Sequence, residues 1–212
     1  MKYKLVIFDF DGTLADTFYW FVKNIRAVAD KYGFKNITDE EVEDLRNFDA
    51  KHMIKHVGFP MLKLPLIATH MRGLMKKEIH TIKLFDGVPK MLHELHGVGL
   101  TLAVVSTNSE ENVKTVLGPE LSALISDYEC GVLLFGKEAK FKKISHKCKI
   151  SLSEAIYIAD EMRDLHSAQK VGLDIGFVSW GYTNPEPLKK MNPTMFFEKV
   201  EEIPKKISIH YL

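Results

Sequence analysis

The composition of this 212-residue chain, with 46% hydrophobic and 27% charged residues, is typical of a folded globular protein and excludes wholesale disorder or a fibrous repeat. Lys and Arg number 29 against 28 Asp and Glu, and this net charge of +1 argues against a nucleic-acid coat and a polybasic membrane binder. The length suits one sizeable domain, or one domain that carries a smaller inserted one.

The first predicted element is a buried strand over residues 5–10. Its sequence, LVIFDF, is a short apolar run rich in β-branched and aromatic residues, and Asp11-Gly12 closes it with turn chemistry. A run of this kind is typical of a strand that is covered on both faces.

The next 70 residues or so, 16–85, predict a helical domain inserted into the fold. They contain no convincing strand, and apolar residues recur every three or four positions. Gly33 is suited to end the first helix, and Thr38 with Glu41 forms a capping-box pattern that begins another. We therefore expect a core domain over residues 1–15 and 86–212 and a helical domain over residues 16–85.

Strands and helices alternate after this insertion. Strand-like apolar runs cover residues 100–105, 155–159 and 173–178, with a weaker candidate at 130–135, and helical spacing covers 89–95, 110–117, 140–148 and 164–171. The alternation predicts parallel strands in a Rossmann-like, doubly wound α/β sheet. The proline-rich tail after Tyr182 predicts loops with one short helix and an edge strand.

Polar side chains follow these strands where each strand ends. Ligands of open parallel sheets bind beyond the carboxyl ends of the strands. Grouped carboxylates repel one another unless a hard cation neutralises them, and Mg²⁺ is such a cation. A lysine and several hydroxyl or backbone N–H donors beside the ion make a receptor for phosphate. The residues concerned are Asp9, Asp11, Thr13, Ser106, Thr107, Asn108, Lys137, Asp160 and Asp164.

Asp9 and Asp11 are two residues apart, so a regular strand would place them on the same side, and Gly12 allows the backbone to turn close to a ligand. Two such carboxylates can divide the work of phosphoryl transfer. One attacks phosphorus to form an aspartyl-phosphate, and the other protonates the leaving oxygen and then activates water. The spacing alone leaves the two roles unassigned.

Residues 9–14, DFDGTL, match the DxDGT motif of the haloacid dehalogenase superfamily, and nearly the whole chain resembles its phosphoglycolate-phosphatase-like branch. The resemblance implies that Asp9 is the nucleophile and Asp11 the general acid and base. It also implies a Mg²⁺ cofactor held by Asp9, the backbone carbonyl of Asp11 and Asp160. The helical insertion lies where this branch carries its cap domain.

The same resemblance implies roles for three further residues. Ser106 matches the hydroxyl that binds the transferring phosphoryl group, and Lys137 matches the lysine that balances its charge. Asp160 and Asp164 match an acidic GDxxxD motif, with Ala159 in place of the usual glycine. We expect Asp164 to support the site rather than to bind the metal directly.

Two assignments stay open at this point. Thr107 is an alternative to Ser106 as the phosphate-binding hydroxyl, and Thr13 and Asn108 are further candidate phosphate ligands. Lys140, Lys142 and Lys143 are alternatives to Lys137. Lys137 leads because Gly136 places it just past the strand candidate at 130–135, whereas the others suit the exposed face of a helix.

The sequence therefore predicts a Mg²⁺-dependent phosphatase that hydrolyses a small phosphomonoester, phosphoglycolate-like or sugar-phosphate-like, through a phosphorylated Asp9. A sugar phosphomutase is the alternative within the same fold, and a dehalogenase is less consistent with Asp11, because halide departure needs no acid. A non-catalytic phosphate-binding or interaction module is the alternative of a different class.

The expected partner is a small phosphorylated metabolite, with no nucleic acid and no membrane, and the expected assembly is a monomer or homodimer. Cys130 and Cys148 match no zinc motif and no disulfide framework, which predicts reduced thiols in a cytoplasmic protein. Residues 51–83 carry six Lys and one Arg against one Glu. Either this is a solvated helix face, or Lys51 and Lys55 help to roof the site and select an anionic leaving group.

Overall fold

A parallel sheet forms the centre of the fold in the computed structural model, which describes residues 2–131 and 136–208. Six strands form this sheet in the order β5-β4-β1-β6-β7-β8, and β2 and β3 pair separately as a short antiparallel ribbon. The strands are β1 (Leu5–Phe8), β2 (Ala15–Asp16), β3 (Lys83–Leu84), β4 (Thr101–Val105), β5 (Ile125–Glu129), β6 (Ala155–Ala159), β7 (Asp174–Val178) and β8 (Met195–Phe197).

Helices cover both faces of the sheet, which confirms the predicted doubly wound α/β fold. Within the described ranges, none of them is both long and apolar enough to cross a bilayer. The helices are α1 (Phe18–Tyr32), α2 (Asp39–Leu45), α3 (Ala50–His56), α4 (Leu64–Lys77), α5 (Val88–Gly97), α6 (Glu110–Leu124), α7 (Glu138–Cys148), α8 (Met162–Gln169), α9 (Pro185–Lys190) and α10 (Glu202–Ser208).

Strand β1 is buried on both faces, as its sequence predicts. Val6 and Phe8 face the layer that contains α5, α6 and α10, and Leu5 and Ile7 face the layer that contains α7, α8 and α9. All four side chains are fully buried. Phe8 lies opposite Val104 of β4 and Ile158 of β6, so the three central strands end close together at one edge of the sheet.

Strand β5 begins five residues earlier than the sequence predicts. It spans Ile125–Glu129, Cys130 and Gly131 follow it without strand structure, and residues 132–135 of the predicted strand lie outside the described residues. The sequence shows no continuous apolar run over this strand, because it is an edge strand whose residues 126–128 are polar and partly or fully exposed. The tail contains two helices, α9 and α10, where one was expected.

Helices α1–α4 occupy the insertion. Ile25 and Val28 of α1 pack with Ile67 of α4 in a small separate apolar cluster. Gly33, with φ 76°, ends α1 in the left-handed conformation, as its position predicted. The capping box at α2 is also present, because Glu41 N donates to Thr38 Oγ1 and Thr38 N donates to Glu41 Oε2. The division into a core and a cap domain stays a prediction.

The ribbon formed by β2 and β3 lies where the chain leaves the core and returns to it. Ala15 pairs with Leu84, and Asp16 pairs with Lys83. Each strand has only two residues, which is too short for a periodic pattern to reveal. The two segments that connect the core to α1–α4 are thus held side by side.

Helix α7 is tied to the edge strand β5 by a buried acid. The side chain of Glu129 is only 4% exposed and makes ion pairs with Lys140 at 2.9 Å, Lys143 at 2.6 Å and Lys147 at 3.1 Å. Burial alone would raise the pKa of Glu129, but the hydrogen bonds from the three lysines outweigh it and lower the pKa to about 2.

This lowered pKa predicts an acid-dependent contribution to stability. The Glu129→Gln variant should lose roughly 1–3 kcal/mol of unfolding free energy at pH 7. Because the folded pKa lies below the ordinary value of about 4.3, the stabilisation is complete above about pH 5 and disappears as the pH falls toward 2. Urea denaturation at pH 7 and pH 3 measures this, with exposed Glu186→Gln as the control. An equal difference from wild type at both pH values would contradict the account.

Candidate active site

The ends of β1, β4 and β6 bring three predicted site residues to one place. Asp9 directly follows β1, Ser106 directly follows β4, and Asp160 directly follows β6. All three are buried, and Asp9 N donates to Ile158 O at 2.9 Å, which fixes the start of the turn after β1. The parallel register of the sheet therefore assembles the site from residues far apart in sequence.

Lys137 is the cation at the centre of this cluster. It precedes α7, is 1% exposed, and its Nζ lies 2.5 Å from Asp9 Oδ2 and 2.8 Å from Asp164 Oδ1. Nζ also donates to the Tyr157 hydroxyl at 2.6 Å. Burial lowers the pKa of Lys137, but the charges of Asp164 and Asp9 outweigh it, so the pKa is raised and the ammonium stays protonated.

The alternative lysines lie elsewhere on α7. Lys140 and Lys143 make ion pairs with Glu129, and Lys142 is exposed. Of the four candidate lysines, only Lys137 contacts Asp9. It is also the one that the sequence favoured, because it lies just past the strand candidate at 130–135. Asp164, in the first turn of α8, also contacts Lys137 and is fully buried.

Asp160 sits in a tight cradle of backbone and hydroxyl donors. Thr13 Oγ1 donates to Asp160 Oδ1 at 2.8 Å, and Tyr182 N donates to Asp160 Oδ2 at 2.8 Å. A Cβ atom at either Gly12 or Gly181 would collide with the Asp160 side chain, and Gly12 has φ +75°. The Thr13 hydroxyl, predicted to bind phosphate, thus has Asp160 as its partner.

Asp11 is held by the loop after β4. Asn108 Nδ2 donates to Asp11 Oδ1 at 3.2 Å and Oδ2 at 3.3 Å, while Asn108 Oδ1 accepts from Ser109 N and Asn112 Nδ2. Burial, followed by the charge of Asp9, raises the pKa of Asp11 to about 7. Asn108, a candidate phosphate ligand from the sequence, therefore orients the second aspartate.

The two candidate hydroxyls differ in their surroundings. Ser106 is fully buried, and its Oγ accepts a hydrogen bond from Asn108 N at 3.0 Å. Thr107 is half-buried, and its carbonyl accepts from Arg72 Nε of α4 at 2.9 Å. Ser106 lies with the buried cluster, and Thr107 lines the cavity described next. The choice between them as phosphate ligand stays a prediction.

A cavity of about 280 Å³ extends from Asp9 and Asp11 into the helical insertion. Most of its lining side chains are apolar and come from α1–α4 and the loops between them. Lys51 and Lys55 do not line it, and both are exposed. These two lysines therefore fit the solvated helix face, and the cavity roof is apolar instead.

The family of the chain follows from a comparison with known proteins. Residues 6–178, which include the ends of β1, β4 and β6, match the haloacid dehalogenase-like hydrolase family. The chain belongs to this family. The predicted family and the predicted hydrolase class are thereby confirmed.

Relatives of known name are similar over most of the chain. The phosphoglycolate phosphatase of Synechococcus elongatus is 25% identical over 199 residues, which cover 93% of this chain and 94% of that protein. The N-acetylmuramic acid 6-phosphate phosphatase of Pseudomonas putida is 25% identical and covers 88% of this chain and 87% of its own length.

Solved structures with low sequence identity share the fold. A crystal structure described as a predicted phosphatase from Clostridium acetobutylicum superposes with a TM-score of 0.81 at 23% identity, covering 98% of this chain and 99% of that one. CbbY from Rhodobacter sphaeroides, in complex with phosphate, superposes with a TM-score of 0.69 at 19% identity, covering 95% and 96% of the two chains.

The acidic cluster of this family member fits a bound Mg²⁺. Across residues 2–131 and 136–208, no group of three or more His, Cys, Asp or Glu side chains forms a ready-made metal site. Mg²⁺ commonly takes only one or two carboxylates and keeps several waters, and the buried carboxylates of Asp9 and Asp160 satisfy that requirement. Burial, followed by the charges of Glu161 and Asp9, raises the pKa of Asp160 well above its ordinary value.

A second observation points the same way. Asp164 Oδ2 is buried with no hydrogen-bond partner among the described residues. The acids of the cluster also outnumber its cations, so a divalent ion would offset the excess charge. The acids are Asp9, Asp11, Asp160, Glu161 and Asp164, and the cations are Lys137 and Arg163.

Three residues of the site were not found from the sequence. Tyr157 contacts Lys137, and Tyr182 contacts Asp160. Arg46, directly after α2, donates through Nε to Tyr182 O at 3.0 Å and through Nη2 to Gly181 O at 2.9 Å. A tyrosine inside the otherwise aliphatic strand β6 was a usable signal. Nothing in the sequence pattern linked Arg46 to the loop at 181–182, which is 135 or more residues away.

The central position of Lys137 predicts a large stability effect. Lys137→Met leaves two buried carboxylates without their cation and should cost about 3–5 kcal/mol of unfolding free energy at pH 7. Urea denaturation at pH 7 measures it, with Lys142→Met, an exposed position in α7, as the control. Equal stability of the two variants would refute the central role of Lys137.

Proposed function

We propose that this hydrolase is a Mg²⁺-dependent phosphatase that cleaves a small phosphomonoester through a phosphorylated Asp9. The observation that carries the proposal is the buried contact between Asp9 and Lys137 at the end of β1, with Asp160 in the same cluster. Relatives with 25% identity over most of the chain are named phosphatases, which favours water over a sugar hydroxyl as the final acceptor.

Asp9 is suited to attack phosphorus because each of its carboxylate oxygens accepts a hydrogen bond. Oδ1 accepts from Phe10 N at 2.8 Å, and Oδ2 accepts from Lys137 Nζ at 2.5 Å. A carboxylate fixed in this way loses little freedom when it reacts. The bond that forms joins an Asp9 oxygen to phosphorus, and the bond that breaks joins phosphorus to the leaving oxygen.

Asp11 is placed to serve the leaving group. It lies two residues beyond Asp9, lines the cavity, and is oriented by Asn108. In the first step its proton passes to the departing oxygen, and in the second step it accepts a proton from the water that attacks the phosphorylated Asp9. Asn108 fixes the orientation of this carboxyl group, because its Nδ2 donates to both Asp11 oxygens.

The phosphoryl group needs donors that bind its oxygens. We assign this role to Lys137 and to the Ser106 hydroxyl, with Thr107 as the alternative hydroxyl. The pKa of Lys137 is raised, so its ammonium group is protonated. It balances the negative charge of the phosphoryl group without transferring a proton. Thr13 acts indirectly, because its hydroxyl donates to Asp160.

The residues that would hold Mg²⁺ are Asp9, Asp160 and the backbone carbonyl of Asp11. When bound, the ion would neutralise negative charge on the phosphoryl oxygens. Thr13 and Tyr182 N keep the Asp160 carboxylate oriented for this task. Cytoplasmic location and a monomeric or dimeric state stay predictions.

The direct test is the Asp9→Asn variant, assayed with p-nitrophenyl phosphate and Mg²⁺. The amide is nearly isosteric but is a poor nucleophile, so kcat should fall by about 10³-fold or more. Asp86→Asn, which changes an exposed carboxylate outside the cavity lining, should retain wild-type turnover. Turnover retained by Asp9→Asn would refute the mechanism.

A further inference from the structure

The cavity beyond Asp9 and Asp11 is built mainly from apolar side chains. Phe21 and Ile25 of α1 line one side, and Ala68 and Met71 of α4 line a neighbouring side. These two helices pack together through the apolar cluster around Ile67. The wall is therefore part of a formed core and does not depend on a ligand for its shape.

Helix α3 also lines the cavity, through an apolar face whose residues are not buried. Ala50, Met53 and Ile54 line the cavity, and none of the residues of α3 is buried. Lys51 and Lys55 occupy the exposed side of the same helix. Such an amphipathic helix is stabilised by apolar contact on one face, and here that face meets the cavity.

The cations that line the cavity are already engaged by the protein. Arg46 donates to Tyr182 O and Gly181 O and pairs with Glu43. Its guanidinium also lies 4.5 Å from the ring centroid of Phe18. A substrate carboxylate would have to displace these contacts to be bound by Arg46.

The other two cations are held in a similar way. Arg72 Nε donates to the carbonyl of Thr107 at 2.9 Å, and Arg163 makes an ion pair with Glu161. The carboxylates of Asp9 and Glu161 add negative charge at the same end of the cavity. An anionic leaving group would thus meet engaged cations and repelling carboxylates.

From this distribution we infer that the phosphomonoester cleaved at Asp9 carries an apolar leaving group, which occupies the cavity between α1, α3 and α4. The inference rests on the proposed phosphatase activity and names its substrate class. The phosphate end lies at Lys137 and Ser106, neither of which lines the cavity, so the cavity is left for the organic part. Its volume of about 280 Å³ holds roughly ten non-hydrogen atoms at about 30 Å³ each.

Straight-chain alkyl phosphates from ethyl to hexyl test the inference, because their leaving oxygens differ little in basicity. Each methylene that enters the apolar cavity should raise kcat/KM by about threefold, so hexyl phosphate should exceed ethyl phosphate by roughly 50-fold to 100-fold. Phosphoglycolate should fall near ethyl phosphate. A kcat/KM for phosphoglycolate or ethyl phosphate that equals or exceeds that for hexyl phosphate would overturn the inference while leaving the phosphatase activity intact.

Matched variants test whether the cavity causes the preference for longer alkyl chains. Ala68→Trp fills the cavity from α4 and should lower kcat/KM for hexyl phosphate by about tenfold or more, with ethyl phosphate changed less than threefold. Thr69→Trp, on the exposed side of α4, should change neither substrate. An unchanged chain-length preference in Ala68→Trp would count against this placement. If Ala68→Trp does not fold, Met53→Ala decides, because enlarging the cavity should shift the preference toward longer chains.

Binding separates this inference from the proposed function. If none of the alkyl phosphates and no p-nitrophenyl phosphate is hydrolysed, or if hydrolysis persists in Asp9→Asn, the proposed function fails. Calorimetry with hexyl and ethyl phosphate on the Asp9→Asn variant still decides the inference. Tighter binding of hexyl phosphate by at least tenfold supports an apolar site, and equal binding contradicts it.

Discussion

The site depends on one buried ammonium group that compensates two buried carboxylates. Lys137 lies within 2.8 Å of both Asp9 and Asp164, and all three side chains are almost completely removed from water. An isolated buried carboxylate would take up a proton instead of staying charged. Lys137 therefore compensates the charge of the buried Asp9 carboxylate, and the Tyr157 hydroxyl accepts a further hydrogen bond from the ammonium group.

This compensation is incomplete, and the excess negative charge explains the rest of the cluster. Asp160 is held by Thr13 and Tyr182 N, and within residues 2–131 and 136–208 no cation is among its hydrogen-bond partners. In the proposed mechanism, a divalent cation would neutralise this surplus carboxylate charge and would in turn bind a phosphate dianion. Gly12 and Gly181 are required because any side chain there would occupy the space of Asp160. The insertion adds the second half of the site, since Arg46 fastens α2 to the loop at 181–182 and the apolar helices enclose the space beyond Asp11.

Much of this arrangement could be predicted from the sequence because it depends on local patterns. Strands buried on both faces are continuous apolar runs, and the residues just after them must lie at one edge of a parallel sheet, so Asp9, Ser106 and Asp160 could be grouped. Edge strand β5 was misplaced because its exposed face is polar. The engagement of Thr13 and Asn108 with Asp160 and Asp11 could not be predicted, because hydroxyl and amide groups serve substrate and protein equally well.

The cavity was also beyond sequence reasoning. The apolar face of α3 is short, and the lysines beside it suggested an anionic ligand until the structure placed those lysines on the outside. Which face of an inserted helix meets a site depends on packing between α1, α3 and α4. That packing is a tertiary property, whereas the composition of a segment gives its total charge without showing which face of the helix carries it.

The most direct measurement on the central claim is identification of the phosphorylated residue. Wild-type protein is mixed with p-nitrophenyl phosphate and Mg²⁺, quenched during turnover and treated with borohydride, which reduces an acyl phosphate to the alcohol. Peptide mass spectrometry then locates the reduced residue. The account predicts homoserine in place of Asp9 and nowhere else. Reduction at another carboxylate, or continued turnover with position 9 unmodified, would contradict it.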